Sequence, residues 1–101
     1  MKYLVKCAPT PTLVSPEHVL GLTKDAVAWI EARLADGSMD CSYVYPTRGG
    51  ISIMNAASHE HMMELLFDYP LYPLFTWEVL PLCDWRPAFT TLMEFWERRA
   101  S

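Results

Sequence analysis

The sequence predicts an α+β domain whose elements run βαββαβ, with one more helix at the end. Three observations carry that reading. There are four short apolar runs of strand character, two serine-capped segments of helical period between them, and a Thr47-Arg48-Gly49-Gly50 turn joining the middle two strands. At 101 residues, 51% of them hydrophobic, the chain has material for one core and not for two.

The first strand, residues 2–7, is apolar-rich and runs into Pro9 and Pro11. Ser15-Pro16-Glu17 then opens a helix over 16–35. The serine caps it, the proline occupies the turn where a missing N–H costs nothing, and the acid meets the positive helix end. Val19, Leu22, Ala26, Ile30 and Leu34 recur at helical spacing, Gly21 is the one weak position, and Gly37 supplies the stop. Residues 39–45 and 51–54 read as a hairpin about the glycine turn. Ser58 caps a second helix that carries Met62, Leu65 and Leu66 and ends before Pro70. In the fourth strand, 75–80, Phe75, Trp77 and Val79 alternate with Leu74, Thr76 and Glu78. A final helix over 86–98 aligns Phe89, Leu92, Met93 and Trp96. This order is the ferredoxin-like split unit, with helices on one sheet face. The other face also carries Tyr, Val, Ile and Leu, so a second copy packing there is expected and the protein reads as a homodimer.

Eight basic against twelve acidic residues leave a net charge of −4, and the basic residues are scattered. That argues against nucleic acid, whose phosphates demand clustered Lys and Arg. Cys7, Cys41 and Cys83 form neither a zinc pattern nor a disulfide framework, so a reducing, cytoplasmic setting is expected and no metal site. No signal peptide opens the sequence and no apolar run reaches about 18 residues, so no membrane span is expected.

Pro70-Leu71-Tyr72-Pro73-Leu74-Phe75, followed by Glu78-Val79 and Leu82-Cys83, resembles the muconolactone isomerase family. Lys6, Gly37, Ser52 and the Ser58–Glu60 pair agree with it. The resemblance spans most of residues 1–85 and implies a dimeric α+β barrel, able to assemble into larger rings, that works without a cofactor. It implies a reaction in which a proton leaves one carbon of a small unsaturated lactone and returns at another. Family members carry Trp-Arg-His where this chain has Met39-Asp40-Cys41, and a histidine where it has Met63. The final helix is an addition. These substitutions keep a second reading open, a non-catalytic small-molecule-binding or accessory protein on the same fold.

Glu78 is the first candidate for proton transfer, the one carboxylate inside the fourth strand, between Trp77 and Val79. A rim position facing solvent is the plain alternative. Lys6, on a strand that neighbours the fourth in this fold, is placed to reach Glu78 and stabilise an enolate, or to form an ordinary ion pair. His18, in the first turn of the first helix, is a third catalytic candidate, since a helix N-terminus favours neutral imidazole. Tyr3, Tyr43 and Tyr45 are candidates to line a pocket between sheet and helices, with Ser52 and Trp77, and Arg48 in the turn to hold an anion. Core or interface packing is the competing role for the aromatic residues. The final helix is expected to close one end of the pocket. The substrate class is a small hydrophobic cyclic or polyketide-like compound.

Overall fold

The computed structural model describes residues 1–11 and 13–100. Strand β1 spans Lys2–Pro9, helix α1 Pro16–Asp36, β2 Met39–Val44, β3 Gly50–Asn55, α2 His59–Asp68, β4 Phe75–Leu82 and α3 Trp85–Ala100, with a single 3-10 turn Tyr72–Leu74 before β4. The strands form one antiparallel sheet in the order β2-β3-β1-β4, the ferredoxin-like arrangement.

The helix ends form as the sequence predicts. The Ser15 hydroxyl accepts from the His18 N–H at 3.2 Å and the Ser58 hydroxyl from the His61 N–H at 3.1 Å. Gly37 closes α1 in the left-handed region at φ 84°. Both strands of the β1–β4 pair run further than predicted, through prolines. Pro9 is tolerated because β3 begins only at Gly50, opposite Cys7, so no ladder bond is asked of it on that side. Pro81 lies on β4, an edge strand whose far side has no partner strand.

Alternation sorts the side chains into two faces. Toward the helices point Tyr3 and Val5 of β1, Ser52 and Met54 of β3 and Val79 of β4, which register against one another. With Met39, Met62, Leu65 and Leu66 they make the core, where Met54 is 1% exposed. Away from the helices lie Leu4 and Lys6, Ile51 and Ile53, Cys41 and Tyr43, Glu78 and Leu80. The sheet does not close into a barrel within one chain.

Helix α3 departs from expectation. No residue of it is buried, and Trp85, Phe89, Leu92, Met93 and Trp96 are each at least half exposed. The radius of gyration is 17.4 Å, against about 13 Å for a compact chain of this length, and the long axis is 64 Å. α3 therefore projects from the body instead of closing a pocket. No helix of the described residues is long and apolar enough to cross a membrane.

Candidate functional site

A cavity of about 410 Å³ opens between α1 and the helix-side face of the sheet. Its floor comes from strand periodicity: Val5 and Cys7 of β1, Ser52 and Met54 of β3, Ser42 of β2 and Trp77 of β4. Its roof is α1, through Val19, Ala26, Trp29 and Ile30. Register places Val44, Gly50, Cys7 and Trp77 in one row across all four strands. At one end stands Arg48, at φ 72° in the β2–β3 turn; at the other, Trp77 meets Tyr69 and Phe75.

The polar groups in this apolar space are few. Ser42 and Ser52 are register partners across β2 and β3. Arg48 is the one charged residue of the lining, which among the described residues holds no carboxylate and no histidine. Burial pushes the Cys7 thiol up, partly offset by a backbone hydrogen bond from Gly50. Burial first, and the charge of a Cys7 thiolate second, push the Tyr69 phenol up as well. Both groups are thus held protonated near neutrality.

Of the residues singled out from the sequence, Ser52, Trp77 and Arg48 line this cavity, and Tyr43 borders it at the hairpin end while belonging to the opposite face by register. Glu78 and Lys6 do meet, Oε2 to Nζ at 3.9 Å, but on the face turned away from the cavity. The apolar wall foreseen for Glu78 lies on the other side of its own strand, and its side chain is 59% exposed. Together with Tyr45 and Thr76 the pair borders a smaller hollow of about 180 Å³. His18 is exposed at the start of α1 and lines neither space. Tyr3 does not line the cavity either: it is buried, and its hydroxyl lies 2.6 Å from His59 Nδ1. None of the lining comes from α3. Among the described residues no three His, Cys, Asp or Glu side chains gather as a metal site.

Sequence reasoning passed over Cys7, Tyr69 and Trp29. The signal for Cys7 was present, since it shares the Tyr3–Val5 alternation and so faces the helices. Tyr69 lies beyond the last turn of α2, where only the path of the chain toward β4 decides its direction.

The family model for muconolactone delta-isomerase matches residues 1–87. The chain belongs to that family. Membership makes it an isomerase of the muconolactone delta-isomerase type, the class expected from the Pro70–Cys83 segment. A crystal structure of muconolactone isomerase at 3.3 Å resolution superimposes with a TM-score of 0.77 at 22% identity, covering 85% of this chain and 92% of that one. That likeness concerns the fold. No curated protein matches the chain. Residues 88–101, most of α3, lie outside the muconolactone delta-isomerase match.

Proposed function

We propose that this protein moves a proton next to the carbonyl of a small hydrophobic lactone bound between α1 and the sheet, without a cofactor. The observation that carries this is the cavity itself: apolar walls, one cation at the rim, and a thiol on its floor. Arg48 holds a carboxylate arm through its guanidinium fork. The Cys7 thiolate takes the proton from the γ-carbon of the α,β-unsaturated lactone, and the C–H electron pair becomes the new double bond of a dienolate. The Ser52 hydroxyl or the Tyr69 phenol donates to the resulting oxyanion. The thiol then returns the same proton to the carbon beside the carbonyl, so the double bond has moved and no atom is gained or lost.

The Lys6–Glu78 pair supports a second reading, in which the hollow they share with Tyr45 is the reactive site. The open sheet face around it carries Leu4, Ile53 and Leu80, which favours a homodimer packed through that face, in the cytoplasm where free cysteines persist.

One experiment separates the two sites. Isomerisation of muconolactone and substituted butenolides is followed by ultraviolet absorbance for the wild type, Cys7→Ser and Glu78→Gln. Loss of about 10²–10⁴ in turnover for Cys7→Ser, with Glu78→Gln unaffected, supports the cavity. The reverse pattern moves the chemistry to the hollow, and absence of turnover with every lactone overturns the isomerase proposal for these substrates.

A further inference from the structure

The cavity is longer than a lactone ring needs, and its two ends differ chemically. A volume near 410 Å³ falls in the range of roughly 300–1,000 Å³ that holds drug-sized ligands. Along the row Val44–Gly50–Cys7–Trp77, the distance from the β3 end, beside Arg48, to Trp77 is two strand spacings, roughly 10 Å. Gly50 places no side chain in that row, and Cys7 sits in its middle.

The β4 end is aromatic. Trp29 and Tyr69 lie 4.9 Å apart between centroids at 59°, Tyr69 and Trp77 5.6 Å apart at 89°, and Phe75 and Trp77 6.2 Å apart at 61°. All four line the cavity. Both indole N–H groups are already engaged, Trp29 with Asp68 at 3.2 Å and Trp77 with the Tyr72 carbonyl at 3.0 Å. The rings therefore offer the ligand π surface rather than donors. Edge-to-face and tilted walls of this kind favour another aromatic ring over an aliphatic chain of equal size.

We infer that the substrate is an aryl-substituted lactone acid, its carboxylate at Arg48, its reacting ring over Cys7 and its aryl group among Trp29, Tyr69 and Trp77. This deepens the proposed lactone isomerisation and rests on it for the central ring only; the two ends are binding determinants in their own right. Arg48 pairs with no carboxylate among the described residues, and the Tyr69 hydroxyl has no protein partner there, so both are open to a ligand.

The test is a calorimetric titration of the full chain with 4-phenylbutanoate and with 4-cyclohexylbutanoate, two unreactive acids of nearly equal size that differ in the aromaticity of the ring. The phenyl acid is expected to bind roughly two- to tenfold more tightly. Trp29→Leu is expected to remove most of that advantage while Trp29→Phe keeps it, and Arg48→Gln is expected to weaken both acids together. Circular dichroism of each variant shows that it has folded; if Trp29→Leu does not fold, Arg48→Gln and Trp29→Phe still decide the matter. Equal affinity for the two acids overturns the inference, as does phenyl binding indifferent to both Arg48→Gln and the Trp29 changes. Turnover of an unsubstituted lactone alongside equal affinities leaves the isomerase proposal standing. Strong phenyl preference without turnover of any lactone leaves the aryl site standing and removes the isomerase chemistry.

Discussion

Lys6 and Glu78 face each other on β1 and β4 with Nζ and Oε2 3.9 Å apart, on the side of the sheet opposite the cavity. With side chains 43% and 59% exposed, the pair is worth little to a single chain, because water screens both charges. A double-mutant cycle on Lys6→Gln and Glu78→Gln, read by urea denaturation at low protein concentration, should return a coupling below about 1 kcal/mol. A clearly larger value at high concentration would indicate that a second copy dries the pair.

The proposed Cys7 base predicts a pH dependence. Burial raises Cys7 above the ordinary thiol range, so a thiolate base is scarce at neutrality and accumulates as pH rises. Turnover by the wild type should climb through the alkaline range toward that raised value. A plateau already complete at pH about 6 would fit a carboxylate base instead.

Two glycines should respond in opposite directions to alanine. Gly21 is exposed within α1 and a Cβ there meets nothing within 4 Å, so Gly21→Ala should stabilise by about 0.4–1 kcal/mol. At Gly49 the backbone has φ 85° and a Cβ would lie 2.5 Å from the Cys7 carbonyl oxygen. Gly49→Ala should therefore destabilise by about 1–3 kcal/mol and shift the cavity floor beside Cys7. Thermal melts of both variants check the signs.

Met54 carries the centre of the core at 1% exposure, paired with Tyr3 and Met39 on neighbouring strands. Met54→Ala should cost about 2–5 kcal/mol in chemical denaturation, the lost transfer energy plus the void it leaves.

Asp40 gives an acid-side test. Hydrogen bonds from Lys2 first, then from Asn55, hold its carboxyl below the usual carboxylate range. A depressed native value means the contribution is complete above the ordinary aspartate pKa of about 3.9 and is lost as pH falls through the lower native one. Melting temperature against pH should therefore fall less steeply at the acid end for Asp40→Asn. Equal slopes would show that the exposed cluster does nothing for stability.

Much of the fold was legible because its signals are local. Ser15, Gly37 and Ser58 satisfy helix ends through neighbours a few residues away, and the glycine turn forces the hairpin. The strand order of the ferredoxin-like unit, which makes β1 and β4 neighbours, put Lys6 within reach of Glu78, and the two are register partners. What strand period does not state is which face the helices cover. Glu78 drew attention through its neighbours Trp77 and Val79, yet neighbours along a strand point to the opposite side. The irregular register between Met39 and Cys41 compounds this on β2, where Met39 is buried while Cys41 and Tyr43 turn outward. Tyr3 was legible as inward-facing, but its contact with His59 required knowing where α2 begins to cross the sheet. The aromatic end of the cavity joins α1, the end of α2 and β4, which no local pattern brings together.

The projecting α3 divides the molecule into parts that need not melt together. A helix of 16 residues with none of them buried is marginal in water, because nucleation is costly and little apolar area rewards it. Backbone amides of β1 and β3 should exchange with solvent only when the whole body opens, while those of α3 should exchange through local fraying. If a second copy covers the stripe from Trp85 to Trp96, protection of those amides becomes a function of protein concentration, by mass action, and that of the sheet interior does not. A single unfolding free energy would then describe the body alone, with the last helix following an equilibrium of its own.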